Sequence, residues 1–404
     1  MGLNSGGGTV PLAGSVDFVD SDGNVSTFTV TVFTSSGSQI STSTSPAPGV
    51  SGFKSGPLDF SFNVNTTTVG DFAFQVYVTD SGGAKSNTLS GSFAVRDVWQ
   101  ATAAMPTARD GLVTAAVNDK IYAIGGNTES PRFLNTTEEY DPATNLWFTG
   151  APMPTARSDS AVGVVDGKIY VIGGYLEDPT LRVLNTVEEY DPVLKKWTVK
   201  SPMPTARGEI AAAVVGGKIY VMGGTSQNTA GILVPLDTVE EYDPAADTGP
   251  GSTGWRTVAA MPTARFALAA AAVNGKIYAL GGKPSETTIT DRLEEYDPAT
   301  NTWTVKAPVP TARYDLSAEM VNGKIYTIGG WSPGLGSGAL RPNDTVQEYD
   351  PATNTWKSKT YLYPPGRHDL GLAAVNGKIY AIGGEATTAR YLQQVDEYNP
   401  ANDI

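Results

Sequence analysis

The chain has 404 residues, no cysteine and a single histidine, His368, which excludes a disulfide framework, a thiolate metal site, a thiol nucleophile and a centre built from several histidines. Its formal net charge of −13, from 28 basic and 41 acidic residues, argues against nucleic acid or anionic lipid as the main partner, because both demand a basic footprint. No run approaches about 18 uninterrupted apolar residues, so membrane insertion is not expected.

Residues 1 to 9 are Gly-rich and read as a flexible lead; MGLNSGGGTV lacks the basic segment and apolar run of a secretory signal. From Val10 to Val95 short segments alternate with period two: Val16–Val19, Ser26–Phe33, Leu58–Val64, Phe72–Val78 and Leu89–Val95. Each places aromatic or β-branched residues on one face and is bounded by Gly, Asp, Ser or Pro, which predicts antiparallel strands packed into a small β-sandwich. Asp17, Asp20 and Asp22 surround the Gly23 turn, the make-up of a loop that holds Ca2+, although Asp, Gly and Asn are also ordinary turn residues. The ending GDFAFQVYVTDSGGAKSNTLSGSFAV, residues 70 to 95, resembles the last two strands of bacterial immunoglobulin-like and PKD-like extracellular modules. The resemblance implies a spacer or adhesion domain over residues 1–96. Together with low lysine and an acidic balance, it makes an extracellular or cell-surface location the expectation.

The stretch from Trp99 to Arg109, WQATAAMPTAR, is the tail of a repeat whose head is missing. From Arg109 onward one unit recurs six times, with diglycines at 125–126, 173–174, 223–224, 281–282, 329–330 and 383–384. Each unit has an Ala-rich strand after an Arg, a two-residue turn such as Asn274-Gly275, and then Lys-Ile-Tyr-x-x-Gly-Gly. A variable loop follows, then Glu-Glu-Tyr-Asp-Pro or a close variant, a short turn, a Trp, and in most units Pro-Thr-Ala-Arg. The turn pairs tolerate positive φ and predict tight hairpins. The small first strand suits a crowded axis, and the Tyr and Trp of the outer strands suit the widening space between neighbouring sheets.

Diglycine, then Tyr-Asp-Pro, then Trp, in fixed order and repeated, resembles the kelch repeat. The resemblance implies an all-β fold: a six-bladed kelch β-propeller over residues 97–404, each blade a four-stranded antiparallel sheet. The sixth unit stops at Pro400 without its outer strand, so the N-terminal strand at Trp99 is expected to complete the last blade and close the ring.

Antiparallel connectivity sends every variable loop to one face (127–135, 175–185, 225–237, 283–291, 331–345 and 385–394) and the hairpins and Asp-Pro turns to the other. The loop face also carries Arg109, Arg157, Arg207, Arg265, Arg313 and Arg367, which could clamp carboxylates or sulfates or else serve blade packing. In kelch adaptor proteins, which this half resembles, arginines at this end hold acidic peptides. Asp159, Glu209, Asp315 and Asp369 stand two residues after their arginines and are expected to neutralise them in part. Phe266, Tyr314 and His368 follow their arginines and, with Trp331, form an aromatic sector that could stack a sugar or a peptide side chain, or lie as core under the loops. Glu319 interrupts a small-residue strand on the face of Arg313 and Asp315, where its pKa would be raised.

Copper radical oxidases share the kelch fold but need a tyrosine joined to cysteine and two histidines, which this chain lacks. The resulting expectation is a non-catalytic recognition protein that binds a protein or glycan on its variable-loop face and needs no cofactor beyond the candidate Ca2+. Two alternatives are a structural subunit of a surface layer or filament, self-assembling through the N-terminal domain, and a sugar epimerase or mutarotase of the sialic-acid type.

Overall fold

The computed structural model describes residues 2–4, 9–19, 25–34, 36–46, 55–65, 70–85, 88–177, 180–248, 254–333, 340–359, 366–387 and 390–403. Regular structure among them is strand, apart from one 3-10 turn at Pro400–Asn402. No helix among the described residues is long and apolar enough to cross a membrane. The chain divides into two compact units, residues 1–98 with 399–404, and Trp99–Tyr398.

In the first unit a five-stranded sheet runs in the order Gly2–Asn4, Leu89–Arg96, Gly70–Asp80, Val25–Thr34 and Gln39–Pro46, and Thr9–Val19 pairs separately with Ser55–Asn65. Alternation places Val25, Val30, Val76 and Val78 in its core, with Phe28, Phe74 and Leu89 packed against them. Two features depart from the sequence expectation. Gly2–Asn4 pairs parallel with Leu89–Arg96 rather than antiparallel. Gln39–Pro46 forms an exposed edge strand that has no apolar alternation to announce it; its threonines instead bond across the strand pair, Thr29 to Thr44 at 2.9 Å and Thr42 to Thr31 at 3.1 Å. Asp17 falls within Thr9–Val19, whereas Asp20 and Asp22 of the calcium expectation lie outside the described residues.

The second unit contains six four-stranded antiparallel sheets. Their first strands are Val113–Val117, Ala161–Val165, Ala211–Val215, Ala269–Val273, Ser317–Val321 and Gly371–Val375; they lie side by side in that order, and the last also lies beside the first. The Asn and Gly hairpins have the required left-handed backbone, as at Asn274 (φ 51) and Gly275 (φ 76). Small inner residues are needed where sheets converge: a Cβ on Gly163 would meet the Ile219 side chain at 2.9 Å. The Lys-Ile-Tyr strands are covered on both sides by neighbouring sheets, so Ile121, Ile169, Ile219, Ile277, Ile325 and Ile379 are fully buried. Outside them, tyrosine and tryptophan of the third and fourth strands lie against each other, with ring centroids 5.0 Å apart for Tyr140 and Trp147 and 5.1 Å for Tyr296 and Trp303. In the sixth sheet the fourth strand is Trp99–Ala101, antiparallel to Val395–Tyr398, and the Tyr398–Trp99 rings are 4.8 Å apart.

The diglycines join neighbouring sheets. The second glycine of each pair donates its N–H to the carbonyl of the next sheet's arginine: Gly126 to Arg157 at 2.9 Å, Gly174 to Arg207 at 3.0 Å, and so on to Gly384, which bonds Arg109 at 2.9 Å. At Gly126, φ is 102° and a Cβ would lie 2.5 Å from the Asp110 carbonyl oxygen, so no side chain fits there.

Candidate functional site

The six arginines do not face the opening. All are 0–1% exposed, and five of them pair with the first carboxylate of the third strand in their own sheet. The separations are 2.6 Å for Arg109–Glu138, 2.7 Å for Arg157–Glu188, 2.9 Å for Arg207–Glu240, 2.7 Å for Arg265–Glu294 and 2.5 Å for Arg367–Asp396. In the fifth sheet Arg313 donates to Gln347 Oε1 and Thr345 Oγ1, both at 2.7 Å. Further N–H groups reach backbone carbonyls, as from Arg207 to Gly223, Thr238 and Val221. Each arginine therefore straps the linker that carries it onto its own sheet, and the expectation that these side chains clamp a ligand is corrected. Their partners also differ from those expected, because Asp159, Glu209, Asp315 and Asp369 form no ion pair with them.

The reason is a backbone kink that period-two reasoning passes over. The residue two after each arginine is left-handed: Gly111 (φ 56), Asp159 (φ 51), Glu209 (φ 50), Ala267 (φ 54), Asp315 (φ 50) and Asp369 (φ 50). Each donates its N–H to the carbonyl of its counterpart in the preceding sheet, and Gly111 donates to Asp369; all six bonds are 3.0–3.1 Å. The kink breaks strand alternation between the arginine and the first strand, sending the arginine into the sheet and the next acid toward the centre. There Asp159, Glu209, Asp315 and Asp369 line a cavity of about 190 Å³.

Gathering like charges out of water favours their neutral forms. Burial, then neighbouring Asp159 and Asp369, push the Glu209 carboxyl up to about 8. Burial and Asp369 raise Asp159 to about 7, and burial with Asp369, Glu209 and Asp159 raises Asp315. Asp110, 7% exposed, is pushed up to about 8 by burial, Asp369, Asp159 and Glu385.

Above this belt, the residue after each arginine bridges to the first residue of a variable loop: Asp110 with Asn127, Ser158 with Tyr175, Gly208 with Thr225, Phe266 with Lys283, Tyr314 with Trp331 and His368 with Glu385. Tyr175 Oη lies 3.3 Å from Glu209 Oε2 and hydrogen-bonds Thr225. The aromatic residues do come together on one side. Trp331 lies against His368 at 4.5 Å between ring centroids, and Lys283 Nζ sits 5.0 Å from the Tyr314 ring and 5.2 Å from the Phe266 ring. Phe266 and His368 are buried, so they form the floor of this sector, whereas Tyr314 and Trp331 are half-buried.

Glu319 lies deeper and does not share a face with Arg313. It lines a second cavity, of about 350 Å³, whose wall includes Thr114, Val162, Ala212, Ala270, Ala318 and Leu372 from the wall of the first. Glu319 is the sole charged residue lining this cavity among the described residues. Its carboxylate accepts from Met320 N at 2.9 Å, and burial pushes it up to about 7.

In the sequence the four belt acids stand out only as candidate arginine partners, and Asp110, Lys283 and Glu385 belong to no recurring motif. The available signal was variation: these positions differ from sheet to sheet within an otherwise repeated unit.

A family model described as the KLHDC2/KLHL20/DRC7 Kelch-repeats domain matches residues 85–248 and 251–403. Similar curated proteins include Kelch-like protein 11 of Homo sapiens, 36% identical over 69 residues that make up 17% of this chain and 10% of that protein. Kelch-like protein 11 of Mus musculus matches to the same extent, 36% over 69 residues. The match thus spans a tenth of the length of these relatives, 10% in each. Among solved structures, that of YjhT aligns with a TM-score of 0.62 at 18% identity, covering 72% of this chain and 95% of that one, a likeness of fold.

Proposed function

Because this chain belongs to the KLHDC2/KLHL20/DRC7 Kelch-repeats domain family, we propose that its six sheets act as the blades of one closed β-propeller whose variable-loop opening binds a partner. The kelch repeat is a protein-interaction fold, which makes a protein the first choice of ligand and a glycan the second. The protein acts without catalysis at the cell surface or outside the cell, with residues 1–96 as a spacer.

One observation carries this reading. The arginine straps, hairpins, diglycines and Tyr–Trp pairs repeat from sheet to sheet, while the six bridged rim pairs are all different and surround one opening. A rigid ring whose variation is concentrated around its opening has its specificity there. The test is a peptide and glycan array probed with the full chain. Captured ligands should be lost on Trp331→Ala and on exchange of loops 225–237 and 331–345, and kept on Leu194→Ser at an exposed turn. Retention after both loop exchanges would overturn the assignment.

A second reading, acid–base catalysis on a small sugar, is favoured by the Asp110 and Glu209 carboxyls, which burial and neighbouring carboxylates push up to about 8. Turnover of a free monosaccharide, lost on Glu209→Gln, would decide for it.

A further inference from the structure

We propose that the axial opening binds a divalent metal ion through the carboxylates of Asp315 and Asp369 and the imidazole of His368. One ligand atom from each of these residues lies within 4.8 Å of the other two, a spacing that one ion with bonds of about 2.0–2.3 Å can close with small side-chain rotations.

The acids alone would not argue for a site; the buried polar atoms around them do. His368 is 4% exposed and its Nδ1 lies 2.9 Å from Asp369 Oδ2. Its other nitrogen, Nε2, is buried with no hydrogen-bond partner, and Glu385 Oε2 is 3.9 Å away. Asp110, close enough to Asp369 for their charges to interact, is 7% exposed and leaves its Oδ1 buried and without a partner. Buried polar atoms are nearly always satisfied, and among the described residues His368 Nε2 and Asp110 Oδ1 are two buried atoms beside this cluster that are not. The charge balance agrees. Arg265, Arg313 and Arg367 are already engaged within their own sheets, and Lys283 acts on Asp315.

The chemistry of the donors distinguishes a metal from a partner's basic side chain. Lys283 Nζ already lies over the Phe266 and Tyr314 rings and pairs with Glu286 at 3.2 Å, so this side of the opening holds one ammonium group of its own. An imidazole nitrogen beside two carboxylates is a mixed nitrogen–oxygen set, which suits Mn2+ or Zn2+ better than Ca2+ or Mg2+. The belt geometry holds the set in place, because Asp315 and Asp369 are joined by the Asp369 N–H to Asp315 carbonyl bond of 3.1 Å. This inference stands apart from partner recognition and holds or fails whether or not a protein binds at the rim.

The experiment is calorimetric titration of Mn2+ and Zn2+ into the full chain after chelator treatment, with melting temperature followed in parallel. The expected result is one ion per chain, a higher melting temperature, and affinity at least tenfold weaker in the Asp315→Asn/Asp369→Asn double variant. Asparagine tolerates the left-handed backbone of both positions, so the double variant should fold. His368→Gln is the second variant, and it should weaken binding at least tenfold and shrink the rise in melting temperature that the metal produces, each measured against the variant's own metal-free value. Saturable binding left unchanged by both variants, or no saturable binding to the wild-type chain, would overturn the proposal. So would an oligolysine peptide that binds the metal-free chain and is lost in the double variant while neither metal binds.

Discussion

Glu209, Asp159 and Glu319 place carboxyls in the middle of the six sheets, and their pKa values of about 8, 7 and 7 exceed the usual carboxylate range because burial disfavours the charged form. The folded chain then holds protons that the unfolded chain has released, so stability falls as pH rises between about 5 and 8 and levels off above. Melting temperature should therefore be higher at pH 5 than at pH 8, and Glu319→Gln should narrow the gap; an unchanged gap would show that Glu319 is not protonated in the fold at neutral pH. Sequence alone made Glu319 visible as an acid in a strand of small residues. Its company was not legible, because the left-handed residue Asp315 reverses the alternation that seemed to place Arg313 on the same face.

Each sheet is tied together by a contact between two motifs that the sequence shows as separate. Thr107, Thr155, Thr205 and Thr263 of Pro-Thr-Ala-Arg donate to one oxygen of the Glu that begins the Glu-Glu-Tyr run, at 2.7–2.8 Å, and the arginine takes the other. Arg265 and Glu294 are both wholly buried, so Arg265→Met leaves the Glu294 carboxylate without its counter-charge and should cost about 3–5 kcal/mol in urea unfolding. Glu294→Gln reproduces the Arg313–Gln347 pair of the fifth sheet and should cost much less. Equal losses would mean that the strap works by packing and not by charge. The recurrence of both motifs, Pro-Thr-Ala-Arg five times and Glu-Glu-Tyr four times, was plain in the sequence. Their contact was not, since nothing local reports a bond such as Arg265 to Glu294, which spans 29 residues.

Across the whole molecule the decisive element is short. Removing residues 1–95 spares Trp99–Ala101, whereas removing 1–104 also takes the fourth strand of the sixth sheet and the Ala103 carbonyl that accepts from Trp147 Nε1 at 2.9 Å. The shorter product should melt on the order of 5–10 °C below the longer one, and equal melting temperatures would show that the Trp99 strand does not complete the sheet. The sequence by itself determined the strands of the repeats, their hairpins, their order and the missing piece in the last one. Those features follow from period-two patterns and turn chemistry, which act between near neighbours in the chain. Only the tertiary structure decided that the arginines are buried, that the acids turn inward, and that Asp315, His368 and Asp369 meet. Each of these depends on groups from distant repeats or strands sharing one crowded, poorly hydrated space, where backbone kinks and charge balance, rather than local propensity, set the direction of a side chain.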